Sequence, residues 1–187
     1  MKAKDAAAQL KALASPEVAA SSARFFKTGP GEYGEGDLFI GVRVPTLRKL
    51  ARDFRDLPLA EIELLLRSHI HEERMLALLV LVLPAGKCSE SHRKSAYDLY
   101  LSNTTYINNW DLIDSSAPAI VGGYLRDKDR KPLQRLAKSK NMWERRIAMI
   151  ATQHFIRLRE LLDGDFLVYS AYAVVHCVDG WDASSGF

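Results

Sequence analysis

Apolar side chains recur every three to four positions along most of the chain, with little of the strict alternation that marks half-buried strands. That period predicts helices over roughly residues 5–14, 16–26, 45–54, 59–67, 72–83, 90–102, 109–125, 130–138 and 142–159. Two starts carry local signals as well: Ser15 stands as an N-cap before Pro16, and Pro45 opens the next long helix in the same manner. An all-α fold is expected. One stretch interrupts the pattern at residues 27–44, KTGPGEYGEGDLFIGVRV, where four glycines and a proline fall within ten residues and forbid continued helix. A connection of that length is functional or flexible. Its glycines are irregularly spaced and follow no strand, so a flexible loop is expected rather than a phosphate cradle. From residue 161 the helical alternation lapses, and residues 166–178 hold almost no solvating side chain, as in a cap on the last repeat or a poorly specified end.

An internal repeat is superimposed on this helical pattern. HEERMLALLVL, beginning at His71, and WERRIAMIAT, beginning at Trp143, share a charged first turn, an arginine and then an apolar face. Arg74 and Arg146 lie 72 residues apart, with Trp110 midway between them. A unit of two helices per roughly 36 to 40 residues is the period of helical solenoids, in which equivalent positions line one concave surface. On that reading Arg74, Trp110 and Arg146 face a common ligand.

Composition narrows the classes without choosing among them. A chain of 187 residues suits a single domain, 1–187, and its 48% hydrophobic and 26% charged content is that of a globular protein. No apolar run reaches the roughly 18 to 20 residues that cross a bilayer, and the first residues lack a signal-peptide core, so a cytoplasmic monomer away from membranes is expected. Cys88 and Cys177 have no ligand-like neighbours, and neither a disulfide nor a metal site is expected. The net charge is only +3, but nine basic residues against three acidic ones lie between Arg126 and Arg146. Such a run serves either as a phosphate-tracking surface or as an ordinary solvated helix face.

The segment YINNWDLIDSSAP, residues 106–118, holds the candidate chemistry. Trp110 and Asp114 are four apart and share a helix face, while Asp111 points elsewhere, placed to favour the helix N-terminus. A purely structural account is open for each: Trp110 in the core, Asp111 as a cap, Asp114 paired with an arginine of the next repeat.

FIGVRVPTLRKLA (39–51), HEERMLAL (71–78), YINNWDLIDSSAP (106–118) and NMWERRIAMIAT (141–152), with RFFKTGPGEYGEGDLF (24–39) before them, resemble successive signature blocks of the AlkD-like DNA alkylation repair family, in its order and spacing. The resemblance spans about residues 20–157. It implies a right-handed α-α superhelix of HEAT-like helix pairs whose basic concave face holds duplex DNA, and a monofunctional glycosylase that releases cationic N3- and N7-alkylated purines without flipping the base. It implies Asp114 and Trp110 as the catalytic pair and Arg146 as a DNA contact. Arg145, Lys140, Arg74 and Arg43 join Arg146 as expected DNA-binding residues, and no cofactor is expected. The leaving purine already carries the positive charge, so the sugar becomes the cation, and a carboxylate beside C1′ stabilises it and orients water. The family continues beyond residue 152 with a further repeat and a second tryptophan. Here that block is absent, Trp181 stands in another context, and a HEAT-like DNA- or protein-binding module without catalysis is the alternative.

Overall fold

The computed structural model describes residues 1–83 and 88–158, and the divergent tail from residue 161 lies outside the described residues. Within them the regular elements are helices: α1 (Ala3–Ala12), α2 (Pro16–Phe25), α3 (Val44–Asp53), α4 (Leu59–Leu66), α5 (His71–Val82), α6 (Glu90–Ser102), α7 (Trp110–Asp114), α8 (Gly123–Leu125), α9 (Lys131–Ala137), α10 (Met142–Ala151) and α11 (Gln153–Leu158). A 3-10 turn at Thr104–Tyr106 precedes α7, and a π turn at Pro118–Gly122 joins α7 to α8. The only β-type pairing among the described residues is an isolated parallel bridge between Leu38 and Ile70.

Local chemistry accounts for the element ends. The Ser15 hydroxyl accepts from the Val18 amide, as its place before Pro16 predicts, and Ser89 does the same for His92 at the start of α6. The helix expected over 109–125 is instead divided. Pro118 has no N–H, so the Asp114 carbonyl four residues earlier receives no ordinary helical bond, and the backbone widens into the π turn. The expected 142–159 helix breaks at Thr152, whose hydroxyl bonds back to the Met149 carbonyl at 2.6 Å, a bond that competes with the helical ladder.

Helix α5 is the centre of the packing. α3 and α4 lie against it, α1 closes over α3, α4 and α5, and α7 with the π turn continues the stack to α10, which also packs on α9. Met75 through Leu81 are all buried, so α5 is apolar on every side as a core helix must be. Polar links between helices recur near the period seen in the sequence. Arg67 Nε donates to Asn103 Oδ1 across 36 residues at 2.8 Å, and Thr104 Oγ1 donates to Glu144 Oε1 across 40 at 2.8 Å.

The glycine-rich connection is pinned rather than loose, which corrects the expectation of a flexible loop. Glu72, buried in the first turn of α5, takes the amides of Ile40, Gly41 and Val42 at 3.1, 2.7 and 3.3 Å. Gly34 sits so close to the end of α2 that a Cβ there would lie 2.3 Å from the Phe26 carbonyl oxygen. Gly41 has φ +84° and lies against the Ser15 carbonyl, a left-handed conformation and an approach that only glycine meets without strain.

Candidate nucleic-acid interface

Asp37, also from this loop, anchors it to α5 through a buried chain of charges. Its Oδ1 accepts from Arg74 at 2.7 Å, and its Oδ2 lies 3.1 Å from His71 Nδ1. On the other side of the imidazole, Nε2 reaches Asp111 Oδ2 at 2.8 Å. Burial opposes an imidazolium here, but the bonds to Asp111 and then Asp37 outweigh it and hold His71 above the ordinary histidine range. Burial likewise opposes the Asp37 anion, yet the His71 bond and the Arg74 charge bring its carboxyl below the usual range. With His71 protonated, two cations face two anions and the buried cluster is neutral.

The cluster sets α7 in place. Asn109 caps that helix by accepting the Trp110 amide at 2.8 Å while its side-chain amide faces Asp37 Oδ2 at 3.4 Å. The Trp110 ring then stacks on Phe26 at 5.5 Å and meets Phe25 edge-on at 6.1 Å. Phe26 in turn lies 5.2 Å from His71, so Trp110 is tied to the cluster through both backbone and rings. One turn on, Asp114 projects from the same helix and forms a two-point pair with Arg146 of α10, Nε to Oδ1 at 2.9 Å and a terminal nitrogen to Oδ2 at 2.7 Å. The Asp114 side chain remains 35% exposed and that of Arg146 20%. The result is an ion pair at a surface, beside a half-buried tryptophan.

The sequence-predicted residues therefore separate into groups. Trp110, Asp114 and Arg146 come together across α7 and α10. Lys140 and Arg43 are exposed, at the turn before α10 and at the N-cap of α3. Arg145 turns back to the α9–α10 connection, donating to the Ser139 and Lys140 carbonyls at 3.0 Å each. Arg74 does not reach a surface. Only 3% exposed, it bonds Asp37 and the Ser68 carbonyl, so the expected DNA contact is replaced by an interior ion pair. Arg74 and Arg146 are nonetheless equivalent in one respect, since each pairs with a carboxylate roughly one repeat earlier in the chain. The basic run is also less uniform than its composition suggests: Arg130 is buried with its guanidinium 3.6 Å over the Phe155 ring, whereas Arg135, Lys138 and Lys140 are exposed. Asp111, expected only to favour the helix start, holds His71. Tyr33 and Trp143, rings 6.0 Å apart, border the site as well.

The family model described as DNA alkylation repair enzyme matches residues 6–171. The chain belongs to that family. The match extends at both ends beyond the five sequence blocks, taking in most of α1 and all of α2 and passing residue 158 into the tail. No curated protein matches the chain significantly in sequence. A DNA alkylation repair enzyme acts on DNA. Among the described residues no group of three or more His, Cys, Asp or Glu side chains is arranged to hold a metal ion, and no helix is long and apolar enough to cross a membrane.

Proposed function

We propose that this DNA alkylation repair enzyme is a monofunctional glycosylase that hydrolyses the N-glycosidic bond of cationic N3- and N7-alkylated purines in duplex DNA, its helix pairs stacked as HEAT-like repeats. The observation that carries the proposal is the pairing of Asp114 with Arg146 beside Trp110 at a surface rather than in the interior. A DNA phosphate competes with Asp114 for the Arg146 guanidinium, because both are oxyanions suited to its planar fork. Binding of the backbone thereby turns the carboxylate toward the sugar. As the C1′–N bond breaks, its electron pair neutralises the alkylated purine and positive charge gathers on the deoxyribose. Asp114 stabilises that charge and accepts a proton from the water that adds to C1′. Trp110, held by Phe26, lends its π-face to the cationic sugar and excludes water.

A second reading, a HEAT-like module that binds DNA or protein without chemistry, is favoured by one fact: both oxygens of Asp114 are engaged by Arg146. Release of N7-methylguanine and N3-methyladenine from alkylated duplex DNA separates the two. The native chain is expected to release both bases, and Asp114→Asn to lose about a hundredfold or more in rate while still binding DNA. Equal release by both proteins would remove Asp114 from the chemistry. No release from either, with binding intact, would establish the binding module.

A further inference from the structure

Tyr33 lies in the pinned loop at the point where two helices of the site meet. Its ring edge-packs on Trp143 of α10, its hydroxyl oxygen faces the Trp110 indole N–H of α7 as an acceptor, and the charges of Asp111 and Arg146 reach it. The loop is built to present it there. Next to Tyr33, Gly34 has its amide on the Lys27 carbonyl at 3.1 Å and is packed against the Phe26 carbonyl, and three residues further Asp37 enters the buried charge cluster. Tyr33 is 38% exposed. Among the described residues its O–H donates to no hydrogen-bond acceptor, and Asp111, the nearby carboxylate, has its two oxygens on the Leu112 amide and His71 Nε2. A phenol with an available donor, next to a guanidinium, matches one component of DNA better than any other: the anionic backbone oxygen.

We propose that Tyr33 is a DNA-contacting residue whose hydroxyl donates to a backbone phosphate of the strand lying against Trp110 and Arg146. The proposal rests on that edge being the DNA site. It makes the glycine-rich loop part of the interface: the loop supplies a neutral donor, while α10 supplies the charge. Burial first, with the Asp111 charge adding, keeps the phenol above its ordinary value, so the donor proton is retained through the pH range of a binding assay.

The test is binding of a fluorescein-labelled duplex carrying a tetrahydrofuran abasic site by full-length native protein and Tyr33→Phe, which keeps the ring and removes only the hydroxyl. Tyr33→Phe is expected to bind about tenfold more weakly, the scale of one hydrogen bond to a charged group. Its dependence of log K on log salt should keep the native slope, because no charge is removed. A series of duplexes with single methylphosphonate linkages adds a readout that packing alone would not move. At the contacted linkage the native protein should lose more affinity than the variant, and at the other linkages the two should lose the same. Native-like binding by Tyr33→Phe would overturn the proposal, as would a weakened variant that loses as much affinity as the native protein at each linkage. Failure of the glycosylase reading is distinguishable, since that would remove base release and leave these binding differences in place.

Discussion

Removing the Glu72 carboxylate should unfasten the loop from α5 at a cost the geometry allows to be worked out. Glu72 is 3% exposed and accepts from three consecutive amides, the shortest bond being that to Gly41 at 2.7 Å. In Glu72→Ala all three lose their acceptor. Ile40 is half-buried and its amide can be rehydrated, so the full penalty falls on Gly41 and Val42. At about 1–3 kcal/mol for each stranded buried donor, the expected loss is about 4 kcal/mol. Glu72→Gln should cost less, about 1–2 kcal/mol, because one oxygen can still serve Gly41 and Val42 while charge is lost and an NH2 group faces Ile40. Urea unfolding with an unchanged m-value would measure both losses, and amide exchange at residues 40–42 would locate them. For a chain of this size the alanine variant should melt about 8–16 °C lower. A loss below about 1 kcal/mol in Glu72→Ala, or equal losses in both variants, would refute the assignment of these bonds as the loop's anchor.

Two further outcomes are expected in the same region. His71 has its folded-state value raised, so its stabilising contribution is complete below the unfolded value of about 6.5 and is lost as pH rises through the folded value. The urea midpoint of native protein should therefore fall on the alkaline side of neutrality relative to His71→Gln, and parallel profiles would exclude His71 as the source. Gly41→Ala would place a Cβ 2.1 Å from the Ser15 carbonyl oxygen and 2.6 Å from the Ala19 amide nitrogen at φ +84°. It should destabilise by about 3 kcal/mol in thermal unfolding, and a native-like melting temperature would show that the loop can be rebuilt.

Much of the helical architecture was legible because its cause is local. Glu90–Ser102 has the predicted bounds, and α2 to α5 fall within a residue of theirs, since apolar periodicity, Ser15 and the prolines act over a few positions. Trp110 and Asp114 share a face for the same reason, and their four-residue spacing survives because α7 remains regular over that turn. The interior of the site was less visible. HEER at residues 71–74 has the composition of an exposed first turn, yet His71, Glu72 and Arg74 are 2–3% exposed because residues 37–42 fold over them. That burial depends on contacts some thirty or more residues apart, which period and propensity do not encode. A usable signal lay in residues 76–82: LALLVLV has no polar face, so α5 had to be central, and charges at its start needed partners. Asp37 was the partner, concealed among loop glycines.

The widened turn after Asp114 makes chain length itself a determinant of the site. Each residue of an α-helix advances the side-chain direction by about 100°, and a π turn absorbs one residue more than an α turn. The angular phase of Trp110 and Asp114 is therefore offset from that of Ile120, Val121 and Leu125, which face the interior beyond Pro118. The orientation of the carboxylate toward α10 thus depends on an additional backbone position as well as on its pair with Arg146. Within this stretch an insertion or deletion acts on the site as rotation, and replacement of Pro118 acts on the turn itself, while substitutions at the other positions act on packing.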